Sequence, residues 1–214
     1  MKILQPSTTL LWITRTPEIQ IELAGRTCYK SEDKITSNSA FDFCEKMRKS
    51  NHHSMLEHAC ASFRIITDRG ISHEIVRHRL ASYAQESTRY CNYLQKGENC
   101  YFIQPPNLTD SQLHEWISAC EDAEKSYFNL LRLGTHAEIA RSVLPTSLKT
   151  ELIMTANFRE FRHFISLRGT QKAHPQIRPI ALAIWTQLME YSPSIFIDLK
   201  PEGYDKMKFD LVNL

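Results

Sequence analysis

The chain has little glycine, no glycine-rich phosphate motif and no long apolar run. Only 6 of its 214 residues are glycine, under half the usual frequency of about 7%. Neither G-x-G-x-x-G nor G-x-x-x-x-G-K occurs, so any bound phosphate must be held by side chains and not by a glycine-rich loop. The longest apolar run, Ile180 to Trp185, is too short to span a bilayer, and we expect no membrane partner.

A strong net charge and paired cysteines are also missing. The formal net charge is +2, which argues against a dedicated nucleic-acid coat protein. The six cysteines contain no C-x-x-C pair, and no secretory apolar stretch follows the N-terminus. We therefore expect reduced thiols in a soluble, cytoplasmic protein, with a six-cysteine disulfide framework as the alternative.

Hydrophobic patterns predict a mixture of strands and helices without a linker, an internal repeat or a low-complexity tract. Strands are predicted over 2–4, 8–14, 59–67 and 148–156. Helices are predicted over 18–28, 39–49, 71–80, 109 to about 133, 157–167 and 176–191, and a further short helix after Gly134 ends at Val143. Thr109 and Gln112 form a capping box for the longest helix, and Gly134 ends it. The mixture predicts an α/β (α+β) fold in which a central mixed sheet is flanked by helices. We expect a single domain over 1–214, with two small domains as the alternative.

The final predicted helix is apolar almost all round. Ile180, Ile184 and Leu188 lie on one side, and other apolar residues occupy the remaining faces. Such a helix is typically buried between layers or between subunits.

Two segments rich in histidine raise the question of a metal site. His73-Glu74 followed by His78 is one residue longer than the zinc-protease H-E-x-x-H. On one straight helix the second histidine would lie about 140° from the first, so both could not bind one metal. The second segment precedes the strand at 59–67 and contains His52, His53, Glu57 and His58. It is interpreted as a solvated loop, as a metal site or as one wall of a ligand pocket.

The strongest local signal is Arg77-His78-Arg79, seven further residues, and then Ser87-Thr88-Arg89-Tyr90. Basic residues at a helix end can simply complement the helix dipole. The residues that follow nevertheless offer directional hydrogen bonds, and arginine binds phosphate bidentately while a serine hydroxyl completes the shell. Ser87 has no neighbouring histidine base, so phosphate binding is favoured over covalent catalysis.

A nucleic-acid-binding module is the alternative reading of this segment. The residues that would form a phosphate and stacking surface are Arg77, Arg79, Arg89, Tyr83, Tyr90 and Tyr93. The near-neutral net charge weakens this hypothesis.

The motif Arg77-His78-Arg79-x7-Ser87, continued by Arg89-Tyr90, resembles the signature of the flavin-dependent thymidylate synthases. Three other segments resemble that family in the same order: 51–58, the stretch Ala140-Arg141-x-x-Leu144-Pro145, and 157–168. The segment 173–178 departs from the family's usual Ala-Gln-Trp-Glu-Ile-Arg, so no contact is carried over from it.

The resemblance implies a reductive methylation of dUMP to dTMP. The carbon donor would be 5,10-methylenetetrahydrofolate, the cofactor FAD, and NADPH the source of electrons. The implied fold is a central sheet flanked by helices, in a homotetramer whose active sites lie between subunits. No nucleic-acid partner and no metal is implied.

The resemblance also implies two sets of binding residues. The dUMP set is Glu74, Arg77, Gln85, Glu86, Ser87, Arg89, Arg141 and Arg168. The FAD set is His52, Ser54, Arg77, His78, Arg79, Gln85, Asn157, Arg159 and His163. Arg168 is the implied catalytic residue at the uracil ring. Adding a carbon at C5 builds negative charge on that ring, which a fixed guanidinium stabilises, while a pKa above about 12 makes arginine a poor general base.

Overall fold

The structure is a computed structural model that describes residues 1–95, 97 and 99–201. The strands are β1 (Lys2–Leu4), β2 (Ser7–Ile13), β3 (Cys60–Asp68), β4 (Ser82–Gln85), β5 (Tyr101–Ile103) and β6 (Lys149–Asn157). The α-helices are α1 (Pro17–Thr27), α2 (Ser39–Lys49), α3 (Arg69–Ile75), α4 (Asp110–Arg132), α5 (Ala137–Ala140), α6 (Phe158–Arg168), α7 (Ile177–Tyr191) and α8 (Pro193–Phe196). Short 3-10 helices cover Glu32–Lys34, His53–His58, Arg141–Val143 and Ile197–Leu199.

The strands form two sheets. The larger has the order β2-β3-β6-β4, and the smaller pairs β1 with β5 in parallel, with Ile3 opposite Phe102. The predicted α/β (α+β) class, with β-sheet flanked by helices, is confirmed. Among the described residues every helix is too short or too polar to cross a bilayer, and all six cysteines are free thiols.

The chain divides into two compact units. The first comprises residues 1–7, 65–77 and 84–152, and the second comprises 8–64, 78–83 and 153–214, the last 13 of which lie outside the described residues. The prediction of one domain over 1–214 stays a prediction.

The core of the first unit forms where α4 places aromatic side chains beside β5. Phe102 and Tyr127 are fully buried, and the Tyr127 ring meets the Phe128 ring edge-on at 5.4 Å. The capping box predicted at the start of α4 is confirmed: Thr109 Oγ1 accepts from Gln112 N–H, and Gln112 Oε1 accepts from Thr109 N–H. This long amphipathic helix therefore begins where its sequence dictates.

The core of the second unit joins β3, α6, α7 and α8. Phe63 of β3 packs edge-on against Phe161 of α6, with ring centroids 5.2 Å apart. The Trp185 indole of α7 donates to the carbonyl of Phe196 at 2.9 Å. Ile180, Ile184 and Leu188 of α7 are all buried, as the apolar pattern of this helix predicts.

Three predictions about elements are wrong. The helix predicted over 71–80 ends at Ile75, so His78 lies beyond it and the helical angle used to separate His73 from His78 does not apply. The helix ending at Tyr191 is not the last, because α8 follows. The part of the chain that the structure describes forms two sheets where one was expected, and β4 and β5, of four and three residues, were not predicted.

Candidate active site

In the first unit the Ser87 segment forms a tight turn. The Ser87 carbonyl accepts from the backbone N–H groups of Tyr90 at 3.2 Å and Cys91 at 2.9 Å. Its Oγ accepts from Arg89 N–H at 3.3 Å. The turn thus fixes the Ser87 hydroxyl beside the backbone N–H of Arg89. A hydroxyl and an N–H group held together in a turn can both donate to an anion.

Two arginines from separate segments meet at this turn. Arg141 Nη1 donates to Thr88 Oγ1 at 3.1 Å, and Arg141 Nε donates to the Glu138 carbonyl at 3.2 Å. Arg89 Nε donates to the Glu138 carboxylate at 2.8 Å. The side chains of Arg89 and Glu138 are 57% and 45% exposed, so this ion pair is weak and a phosphate can compete for the guanidinium. Ser87, Arg89 and Arg141 therefore lie close together, and their role in binding dUMP stays a prediction.

Gln85 lies in a polar group beside β6. Its Nε2 donates to Ser72 Oγ at 2.9 Å and to Thr150 Oγ1 at 3.1 Å. Arg69 Nη1 is 3.4 Å from Thr150 Oγ1 and 3.4 Å from the Glu86 carbonyl. Arg69 was not predicted from the sequence, because an arginine at the start of a helix carries no distinguishing signal.

The side chain of Glu86 belongs to a different group from that of Gln85. Tyr93 donates its hydroxyl to Glu86 Oε1 at 3.0 Å, and Lys149 Nζ donates to Oε2 at 2.9 Å. These residues line a cavity of about 290 Å³ together with Asn99, Tyr101 and Leu148. Burial and the Glu86 carboxylate raise the pKa of Tyr93, so its phenol stays protonated. Both oxygens of Glu86 thus already have donors.

Two further members of the predicted dUMP set lie at or just beyond the end of α3, also in the first unit. Glu74 is half-buried within α3, and Arg77 is exposed just after that helix ends. The exposed Arg77 guanidinium is accessible to an anion.

In the second unit His78 links two residues of α6. Its Nε2 accepts from Arg168 Nε at 3.1 Å, and its Nδ1 is 3.2 Å from Glu160 Oε1. A guanidinium only donates, so Nε2 is unprotonated and Nδ1 carries the proton that goes to Glu160. Burial, and then the charges of Arg168 and His163, lower the pKa of His78 to about 4. The ring is therefore neutral at pH 7.

His78, Glu160 and His163 could also be considered as metal ligands. Their ligand atoms all lie within 4.8 Å of one another. A metal at His78 Nδ1 would have to displace the proton that this nitrogen donates to Glu160, and the cationic Arg168 already bonds the same ring. The arrangement favours a hydrogen-bonded chain over a metal site. Of the two histidine segments considered above, only His78 takes part in it.

The other members of the predicted FAD set lie mostly at the surface of the second unit. His52, Ser54, Arg79, Arg159 and His163 are exposed. Arg159 pairs with Glu57 at 2.6 Å. Asn157 Oδ1 accepts from Glu160 N–H at 2.9 Å and so caps α6, a local role that its position immediately before the helix explains.

The tyrosines of the nucleic-acid hypothesis do not form an exposed stacking surface. Tyr93 is only 8% exposed, and the half-buried Tyr83 donates its hydroxyl to the His78 carbonyl at 3.0 Å. Tyr90 is 78% exposed. One exposed ring does not make a platform for successive bases.

Comparison with known proteins places the chain in a family. Residues 9–194 match the family model described as thymidylate synthase complementing protein. A protein of Geobacter sulfurreducens named flavin-dependent thymidylate synthase is 35% identical over 201 residues, which are 90% of this chain and 86% of that protein. A protein of Mycobacterium marinum with the same name is 31% identical over 86% of this chain and 80% of that one.

A solved structure has the same fold. The UMP/dUMP methylase PolB from Streptomyces cacaoi, bound with 5-Br dUMP, superposes with a TM-score of 0.82 at 24% identity, covering 95% of this chain and 99% of that one. The chain belongs to the thymidylate synthase complementing protein family. The family resemblance found in the sequence is confirmed.

Proposed function

We propose that this chain is a flavin-dependent thymidylate synthase. It transfers the methylene group of 5,10-methylenetetrahydrofolate to C5 of dUMP, and two electrons from NADPH reduce that group to the methyl of dTMP. Tetrahydrofolate and NADP⁺ are the other products. Membership of the family over residues 9–194 carries this proposal, and the enzyme class and flavin dependence agree with the names of the relatives.

The dUMP phosphate is held at the Ser87 turn. Ser87, Arg89 and Arg141 supply a hydroxyl and two guanidiniums within one small region of the first unit. Such a set fits a doubly charged phosphate by charge and by hydrogen bonding. The rest of the nucleotide is assigned to Glu74, Arg77, Gln85 and Glu86, and the contacts of Gln85 with two hydroxyls show how its amide is oriented.

FAD is assigned to side chains that the family resemblance implies: His52, Ser54, Arg77, His78, Arg79, Gln85, Asn157, Arg159 and His163. The exposed guanidiniums and imidazoles of this set fit a pyrophosphate in a chain that has few glycines to cradle one. When bound, FAD supplies the hydride chemistry that amino-acid side chains lack.

Arg168 stabilises negative charge on the uracil ring. Its Nε is bonded to His78, which fixes the plane of the guanidinium before substrate arrives. A donor that needs no reorientation stabilises developing charge more than one that does. Arg168 remains protonated throughout and acts by charge and hydrogen bonding alone.

The family resemblance supports the remaining parts of the proposal. The folate and NADPH are co-substrates, the protein is a cytoplasmic homotetramer with active sites at subunit interfaces, and residues 1–214 form one domain.

The test is formation of dTMP by the purified protein, measured by liquid chromatography and mass spectrometry. With FAD, dUMP, 5,10-methylenetetrahydrofolate and NADPH present, a product 14 mass units heavier than dUMP is expected. Omitting any one component should abolish it. A protein that binds neither FAD nor dUMP but binds oligonucleotides with a steep salt dependence would instead support the nucleic-acid hypothesis.

A further inference from the structure

Glu160 is a buried carboxylate with no role in the reaction as described so far. Its side chain is 4% exposed, and its partner His78 is 2% exposed. A buried carboxylate needs hydrogen-bond donors to offset its desolvation. The donor here is His78 Nδ1, and the same ring accepts from Arg168.

Glu160 and Arg168 are too far apart along α6 to touch each other. Eight residues of α-helix correspond to a rise of about 12 Å. His78 bridges this distance from outside the helix. Its ring is held by the Phe164 ring, which meets it edge-on at 4.9 Å, and its carbonyl accepts from Tyr83. The imidazole therefore connects Glu160 to Arg168 by two hydrogen bonds.

We propose that Glu160 is a positioning residue, which accepts the Nδ1 proton of His78, keeps Nε2 as an acceptor, and thereby holds the Arg168 guanidinium in its working orientation. This inference rests on the proposed function, because it assumes that Arg168 acts on the uracil ring.

The physical reason is the choice between two tautomers of a neutral imidazole. Without an acceptor at position 160, the Nδ1 proton would be a buried donor without a partner, which is costly. The ring would then favour a proton on Nε2, and two donors, Nε2–H and Arg168 Nε–H, would face each other. The hydrogen bond that orients Arg168 Nε would be lost, although Arg168 itself is intact.

The test compares Glu160→Gln with Glu160→Leu. Glutamine keeps an oxygen that accepts from Nδ1, whereas leucine fills a similar volume without an acceptor. We expect kcat for dTMP formation to fall about 10- to 100-fold in Glu160→Leu, the size expected when a hydrogen bond to a charged group is lost. Glu160→Gln should stay within about threefold of the parent. FAD content should be unchanged in both, and the exposed Glu190→Leu of α7 is the matched control.

Two outcomes would overturn the proposal. One is a Glu160→Leu enzyme with normal kcat. The other is a Glu160→Gln enzyme as impaired as Glu160→Leu, which would assign the effect to charge and not to an acceptor.

A double-mutant experiment separates a positioning role from general damage to the fold. In an Arg168→Ala background, Glu160→Leu should not lower the residual kcat any further, whereas a merely structural role would lower it in both backgrounds.

A spectroscopic measurement on the parent protein covers the case in which Glu160→Leu does not fold. ¹⁵N NMR of histidine-labelled holoenzyme should show one imidazole in the Nδ1–H tautomer at pH 7, and His78→Gln should remove that signal. A signal from His78 in the Nε2–H tautomer contradicts the proposal. This result does not depend on turnover, so it distinguishes a failure of the positioning role from a failure of the proposed function.

Discussion

Acidification from pH 7 to pH 5 should destabilise this protein through His78. In the folded state its pKa is about 4, against 6.5 for an ordinary histidine. The unfolded chain therefore binds more protons than the folded one in this interval. The contribution of neutral His78 to the free energy of unfolding is complete above pH 6.5 and is lost as the pH falls toward 4. Integrating the difference between pH 7 and pH 5 gives a loss of about 2 kcal/mol.

The charged groups that face His78 also affect how steeply the free energy of unfolding changes with pH. Arg168 and His163 favour its neutral form. Burial raises the pKa of the Glu160 carboxyl, so Glu160 contributes most below its ordinary pKa of 4.5 and loses that contribution as the pH rises. Its protonation thus opposes the effect of His78 at the acid end, and about 2 kcal/mol is an upper limit for the pair.

The assay is urea unfolding followed by circular dichroism at pH 7 and pH 5, at one protein concentration. His78→Gln removes the titration, and the exposed His73→Gln is the matched control. On acidification the parent and His73→Gln should lose more free energy of unfolding than His78→Gln, by at most about 2 kcal/mol. Equal losses in the parent and His78→Gln would refute the reasoning.

Other substitutions have equally specific outcomes. Arg168→Ala should lower kcat about 100- to 1000-fold while FAD stays bound; unchanged turnover would contradict its role. Arg141→Ala should weaken binding of dUMP about tenfold or more but hardly affect deoxyuridine, which has no phosphate, as equilibrium dialysis can show. Ser87→Ala should raise KM for dUMP more than it lowers kcat; complete loss of turnover with normal binding would make Ser87 a nucleophile. Phe161→Ala, which removes a fully buried ring packed on Phe63, should cost about 3–5 kcal/mol of unfolding free energy.

The elements that the sequence predicted are those with local signals. The capping box of Thr109 and Gln112 determines the start of α4, and Asn157 and Asp68 cap α6 and α3 by the same chemistry. The end of α3 has no such signal, since neither glycine nor proline follows Ile75 for many residues. Three residues beyond that end, His78 makes a buried contact with Glu160 of α6, which belongs to the tertiary structure and leaves no local sequence signal.

Short strands were missed for a related reason. β5 has only three residues, and its strand character comes from pairing with β1, almost a hundred residues earlier. β4 has four residues within a segment whose sequence is dominated by polar side chains. In both cases the partner strand, and not the local pattern, decides the conformation.

The candidate site was predictable where one segment carries the chemistry. The motif that contains Ser87 and Arg89 was recognisable by its spacing, and the structure adds Arg141 to the same turn. Glu160 was not predictable as a member of the site. An acidic residue in the first turn of a helix is ordinary, and its contact with His78 joins residues 82 positions apart.

The most direct test of the proposed enzyme is a single turnover. The purified protein, loaded with FAD and reduced anaerobically, is mixed with dUMP and 5,10-methylenetetrahydrofolate in the absence of NADPH, and dTMP is quantified by mass spectrometry. We expect about one dTMP per bound flavin, because each reduced flavin carries the two electrons that the methyl group needs. Oxidation of the flavin without any dTMP, or dTMP formation by protein free of flavin, would contradict the proposed function.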